Sequence, residues 1–204
     1  MLLVESDGPI LRLTINRLEV KNAFNDELIA ELHKVFTTIK LGGTRAVILT
    51  GAGDAFCAGG DVKDFADNLP RIGVLIKELT TYLHGSVSRL CRSEKPVIMA
   101  VNGVAAGAGF SLAMAGDIVV AAESARFSTG YVRVGLVPGD GDTYFLPRLV
   151  GAAKALDKSV LAVTPDARAR EPSASITDFA IFDASAKPLE NVAKTLIQAL
   201  RPAA

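Results

Sequence analysis

Two glycine-rich loops carry the first chemical signal in this chain. One reads GAGDAFCAGGD (residues 51–61) and follows the apolar run VILT; the other reads NGVAAGAG (residues 102–109) and follows VIMAV. Small residues let a ligand approach the backbone closely. The second loop runs directly into a predicted helix, whose first N–H groups lack partners within the chain and carry partial positive charge. Such donors suit a phosphate, another anion or a developing oxyanion. Many strand–helix turns of this kind bind nothing, so the loops alone leave these readings open. A dinucleotide site is disfavoured. Gly107-Ala108-Gly109 does not continue as Gly-x-Gly-x-x-Gly, and no acidic residue ends a following strand at the expected distance.

The reactive side chains are few. Asp140 and Asp142 lie in Pro138-Gly139-Asp140-Gly141-Asp142, just before a predicted helix. Either could cap that helix. Capping needs only one of them, so Asp142 is assigned the cap and Asp140 is left between capping and proton transfer. Ser111, in Gly109-Phe110-Ser111-Leu112-Ala113, forms an imperfect nucleophile elbow. A serine hydrolase needs a histidine base. The chain has His33 and His84, both inside predicted helices, where solvated or capping roles are expected. Cys57 reads as a small buried residue rather than a reactive thiol. Cys57 and Cys91 show no spacing that suggests a metal site.

The elements that must position these groups alternate between strand and helix, which predicts an α/β fold. Residues 2–5 and 10–15 alternate as strands around the turn Asp7-Gly8-Pro9. Asn25 is placed to cap a helix carrying Leu28, Leu32, Val35, Phe36 and Ile39 at helical spacing. Residues 46–50 (AVILT) and 97–101 (VIMAV) are continuously apolar, the signature of strands buried on both faces. Between them, Ile72, Leu75, Ile76, Leu79, Leu83, Val87 and Leu90 form one helical stripe. A strand follows at 117–122. Residues 96–116 carry no charge, but Asn102-Gly103 and three later glycines favour strand, turn and buried helix over a membrane span.

The whole chain is 204 residues, half of them apolar, with 22 basic and 22 acidic side chains. Zero formal charge gives no electrostatic case for nucleic acid or an anionic membrane surface. The N-terminus lacks the basic and apolar regions of a signal peptide, and reduced thiols fit a cytoplasmic protein. No internal repeat is visible. Residues 1–163 read as a core domain. Residues 164–204 read as a polar, proline-bearing linker followed by an amphipathic helix from Pro188.

Four blocks in order carry a family resemblance. Asn16-Arg17…Asn22-Ala23 is similar to an Asn-Arg-Pro…Asn-Ala segment, and Ala55-Phe56-Cys57-Ala58-Gly59-Gly60-Asp61-Val62 to an Ala-Phe-(Cys/Ser)-Ala-Gly-Ala-Asp-Leu loop. Lys95-Pro96-Val97 through Val101-Asn102-Gly103 to Asp117 resembles Lys-Pro-Val…Val-Asn-Gly-x-Ala-x-Gly-Gly-Gly…Asp. Phe127, Gly135-Leu136-Val137-Pro138-Gly139 and Leu146-Pro147-Arg148 extend the match to about residue 156. On these blocks the chain is similar to the crotonase superfamily, the enoyl-CoA hydratase/isomerase family.

The resemblance implies a spiral of ββα units, usually trimeric, that takes an acyl-CoA as substrate with coenzyme A as part of it and no other cofactor. It places the two oxyanion N–H groups on Gly60 and Ala108. It lays Val20, Ala58, Gly59, Gly60, Asp61, Val62 and Gly107 against the coenzyme. Lys21 lies near the same loop. The two glutamates of the family's hydratases fall on Ser111 and Tyr131, neither of which is a base at neutral pH. Asp140 lies in the loop where some isomerases of the family place their acid, with Tyr131 as a second candidate. Double-bond isomerisation is therefore expected over hydration. Decarboxylation of a malonyl-type thioester and a non-catalytic CoA-binding role are the alternatives. Beyond Leu156 the family pattern fades, and the chain is shorter than the pattern, stopping before its final helices.

Overall fold

The computed structural model describes residues 1–39, 43–152, 155, 161–162 and 179–182. The N-terminal hairpin forms as its alternation predicts: β1 (Leu2–Asp7) pairs antiparallel with β2 (Ile10–Ile15), Leu2 opposite Ile15. Next comes α1 (Asp26–Thr38). Its N-cap Asn25 accepts a hydrogen bond from Leu28 N–H, and Asp26 and Glu27 occupy the positive end of the helix. Leu28, Ile29, Leu32 and Phe36 make the buried stripe of α1.

The rest of the core repeats one unit, two strands followed by helix. The first is β3 (Ala46–Gly51), β4 (Ala55–Cys57), then α2 (Val62–Asp67) and α3 (Ile72–Cys91). The second is β5 (Val97–Val101), β6 (Val104–Ala106) and α4 (Ala108–Met114). The third is β7 (Ile118–Ala122), β8 (Arg126–Ser128) and α5 (Asp142–Val150). Two short strands, β9 (Leu161–Ala162) and β10 (Phe179–Phe182), complete the sheets. The repeat is structural only; the three units share no visible sequence period.

First strands of the units join one six-stranded sheet, ordered β1-β2-β3-β5-β7-β10, parallel throughout except for the hairpin. Second strands form a separate four-stranded sheet, β4-β6-β8-β9. Because side chains alternate across a strand, β3 and β5 send Val47, Leu49, Val97, Met99 and Val101 to the main core beneath α1 and α3. Ile48, Ile98, Ala100 and Val120 cluster on the opposite face. That double burial explains the unbroken apolar runs.

The uncharged segment 96–116 resolves into β5, β6 and α4, as its turn residues predict. Among the described residues no helix is long and apolar enough to cross a membrane. The expected linker at 164–175 and the amphipathic helix from Pro188 lie outside the described residues. Within the same C-terminal stretch, β10 pairs parallel with β7.

Candidate active site

The two glycine-rich loops meet because β4 and β6 are parallel neighbours, Ala55 beside Val104 and Cys57 beside Ala105. Each chain leaves its strand through a glycine with positive φ: Gly59 at 96° and Gly107 at 51°. At Gly59 a Cβ would lie 2.7 Å from the Ala106 carbonyl oxygen, so the close approach of the loops also demands glycine. Gly60 and Ala108 follow immediately. The first loop is held by two backbone bonds, Phe24 N–H to Gly59 O and Asp61 N–H to Phe24 O, the second by Gly107 N–H to Ser128 O. The N–H groups of Gly60 and Ala108 donate to no acceptor among the described residues. Ala108 opens α4, where such unpaired donors are expected.

A cavity of about 190 Å³ lies at this junction. Its walls include Ala58, Gly59, Gly60, Val62, Gly107, Ala108, Tyr131 and Asp140, with Phe24, Phe65, Ile76, Leu79 and Leu83 supplying apolar surface. Of the residues that the resemblance assigned to the coenzyme, Val20 and Asp61 do not line it. Val20 belongs to a short 3-10 turn (Leu18–Val20). Asp61 points inward, buried. Its carboxylate pairs with the Arg17 guanidinium at 3.1 Å and accepts from the Lys63 and Asp64 N–H groups, capping α2. Arg17 in turn donates to Ala23 O, and its own N–H donates to the buried Asn22 side chain. Asp61 thus braces the loop behind Gly60.

A polar row crosses the far wall. Ser111 Oγ lies 2.9 Å from Tyr131 OH, which donates to Asp140 Oδ2 at 3.3 Å. The Tyr131 phenol is buried, and burial with the nearby Asp140 charge pushes its pKa well above the usual range, so it stays protonated and a donor. An ionised Asp140 only accepts, so the proton order runs from Ser111 to Tyr131 to Asp140. On its other side, Asp140 Oδ1 lies 2.8 Å from His84 Nε2. His84 Nε2 is also 3.3 Å from Asp140 N. The backbone N–H of Asp140 donates to Nε2 there and Oδ1 accepts no hydrogen bond of its own among the described residues, so its 2.8 Å approach to Nε2 is a charge contact that forms when the imidazole is protonated. Burial pushes the Asp140 carboxyl upward, against the His84 charge and the bond from Tyr131. Asp140 itself has φ +53°, a left-handed conformation that aspartate tolerates better than most residues.

Two expectations need correction. Asp142 does not cap α5: the cap residue is Gly141, with no side-chain bond, and Asp142 is the first helical residue, buried, with Oδ1 unpartnered. His84 is neither free in solvent nor a cap, because it reaches from α3 to Asp140. Ser111, as the sequence suggests, has no histidine beside it; it is hydrogen-bonded to Gly107 O and the Tyr131 phenol. Other readings hold. Cys57 is fully buried, and burial pushes its thiol up to about 12, which makes it inert at neutral pH. Lys21 is exposed, 3.8 Å from Asp54. His33 contacts Ser86, away from the cavity.

Comparison with known proteins agrees with this geometry. The enoyl-CoA hydratase/isomerase family pattern matches residues 5–174. The chain is 43% identical over 157 residues to 1,2-epoxyphenylacetyl-CoA isomerase of Escherichia coli K12, covering 74% of this chain and 59% of that protein. It is 38% identical over 159 residues to the short-chain-enoyl-CoA hydratase of Clostridium acetobutylicum, covering 75% of this chain and 58% of that protein. The crystal structure of an enoyl-CoA hydratase from Polaromonas sp. JS666 superposes with a TM-score of 0.84 at 30% identity, covering 97% of this chain and 76% of that one. The chain thus spans less than two thirds of the length of these two sequence relatives. With the ββα spiral, the paired loops and the family pattern in one place, the chain belongs to the enoyl-CoA hydratase/isomerase family of the crotonase superfamily.

Proposed function

We propose that this chain binds an acyl-CoA thioester in the cavity and moves a carbon–carbon double bond along its acyl chain. The carrying observation is that the unpaired Gly60 and Ala108 N–H groups and the Asp140 carboxylate line one cavity. In this reading the thioester carbonyl accepts from both N–H groups. Asp140 takes a proton from C2 of a 3-enoyl thioester. The C–H electron pair enters the carbonyl as a dienolate, whose oxyanion the two donors stabilise. Asp140 then returns the proton at C4, which leaves the conjugated 2-enoyl product. Each oxyanion donor of this type contributes about 3 kcal/mol to such a step elsewhere. Tyr131, protonated, orients Asp140. Coenzyme A enters as part of the substrate, and the cycle needs no other cofactor. The same reading carries the family's trimer and a cytoplasmic location as expectations, the former open to sedimentation equilibrium.

Isomerisation is preferred to hydration on a specific ground. The positions matching the hydratase glutamates hold Ser111 and Tyr131, hydrogen-bonded to each other, which leaves Asp140 as the one carboxylate on the cavity wall among the described residues. Hydration uses one group to activate water and another to deliver the second proton. Shuttling one proton between C2 and C4 needs a single carboxylate.

The test is turnover of a 3-enoyl-CoA, followed by the absorbance of the conjugated product. Asp140→Asn is expected to lower kcat by about 10²- to 10⁴-fold, the usual worth of a general acid/base, with thioester binding retained. Full turnover by that variant overturns the shuttle. Loss of carbon dioxide from a malonyl-type thioester by the same variant would point to decarboxylation instead.

A further inference from the structure

Asp140 has a partner that the cavity does not contain. Oδ2 faces the Tyr131 phenol on the cavity side, while Oδ1 meets the His84 imidazole, which belongs to α3 and is not part of the cavity wall. The two side chains differ sharply in environment: Asp140 is 5% exposed and His84 is 54% exposed. Oδ1 is buried and accepts no hydrogen bond among the described residues, with the His84 imidazole 2.8 Å away. A half-solvated imidazole set against one oxygen of a buried carboxylate does two things at once. It fixes the rotation of the carboxylate, so that the other oxygen stays on the cavity side. When protonated it also supplies a positive charge that favours the ionised form against burial.

We infer that His84 is a positioning residue for Asp140, fixing Oδ1 from the solvent side and setting the lowest pH at which Asp140 can accept a proton. This rests on the acid/base role proposed above for Asp140. The ionisable groups facing Asp140 are His84 from α3, Tyr131 from the 3-10 turn Tyr131–Val134, and Asp142 from the first turn of α5. Tyr131 stays neutral and donates. Asp142 brings like charge, which opposes ionisation. His84 is therefore the one group in the set that carries positive charge when protonated.

The direction follows. Removing His84 leaves burial and the Asp142 charge opposed only by the Tyr131 bond, so Asp140 holds its proton to higher pH. Activity that needs the carboxylate is then lost from the acid side. Two measurements read this independently. The first is ¹³C NMR titration of the protein labelled at aspartate Cγ, with Asp140 assigned by its absence in Asp140→Asn. The expected result is a midpoint moved to higher pH in His84→Ala and in the uncharged His84→Gln alike. The second is the pH profile of kcat/KM for a 3-enoyl-CoA. In His84→Ala the acid end is expected to fall about tenfold, as loss of a nearby opposite charge implies, while the alkaline plateau stays within about threefold.

An unchanged midpoint in His84→Ala overturns the inference, and so does a uniform loss of rate at every pH, which would mark His84 as a plain structural pin for the loop. Should the wild-type protein turn over no enoyl-CoA while the midpoint still moves, the isomerase reading fails and control of Asp140 by His84 stands.

Discussion

Asp142 is the most exposed to test at the scale of single residues, because its environment opposes its own charge. Burial first, and the Asp140 charge second, push its carboxyl up from 3.8 to about 6. A carboxyl raised in the folded state binds its proton more tightly folded than unfolded. Ionisation therefore costs stability, fully above about pH 6 and not at all below about pH 4. Asp142→Asn is expected to stabilise the protein by about 1–2 kcal/mol at alkaline pH, a figure discounted for partial solvation, and the gain should vanish near pH 4. Thermal unfolding of both proteins at the two pH values measures it, and an equal gain at both would show that packing rather than charge is responsible. Residues of this kind were partly legible in the sequence. The two glycine-rich loops stood out because small residues after buried strands are a local signal, while the choice of Gly60 and Ala108 within them is what the family resemblance implies. His84 left no such trace. A histidine on a helix and an aspartate in a distant loop carry no joint spacing, and only the packing of α3 brings them together. The Asp142 cap failed because Gly141 took the cap position with positive φ, which left Asp142 inside the first turn.

At the scale of elements, the distance between the two proposed oxyanion donors is set by how closely α4 lies against β4. Gly109 is the contact point: a Cβ there would overlap the Cys57 carbonyl oxygen. Gly109→Ala is therefore expected to push α4 off β4, costing about 1–3 kcal/mol in the manner of overpacking and weakening acyl-CoA binding with it. Gly73→Ala, on α3 with nothing within 4 Å of the added carbon, serves as the control and should be neutral or slightly stabilising. If calorimetry and unfolding show the two variants alike, the contact does not set the geometry. The long elements were readable because their period is long: β3, β5 and the α3 stripe formed within a residue or two of their patterns. The short ones were not. β4, β6 and β8 have three residues each, too few to show alternation, and α2, six residues directly after a glycine-rich run, is too short to show a helical period.

At the scale of the whole molecule, the proposal makes a thermodynamic distinction between two ligands. Free CoA and a short acyl-CoA share the nucleotide and the pantetheine arm, but only the thioester offers a carbonyl to Gly60 and Ala108. Titration calorimetry is expected to show tighter binding of the thioester. Equal binding would mean that the two N–H groups do not engage the carbonyl, and no binding of either would sink the acyl-CoA reading for this chain. The α/β class was legible from alternation of apolar runs. The division into two sheets was not, since nothing in the sequence of a strand says which sheet it will join.

That division has a kinetic side. Parallel neighbours cannot be joined by a tight turn, so every contact between the first strands of successive units waits for a long excursion of chain: Ile10 pairs with Ala46, and Val47 with Val97. Closing loops of that length costs entropy before any pairing repays it, which slows folding relative to chains built on local contacts. Asp140 lies later still than these pairs, so the one carboxylate on the cavity wall among the described residues arrives after β2, β3 and β5 can pair. On the ribosome, with N-terminal segments emerging first, an apolar half-cavity would be present well before the protein could do any proton chemistry. During that interval the exposed wall of Phe24, Phe65 and Leu79 is what a chaperone would meet.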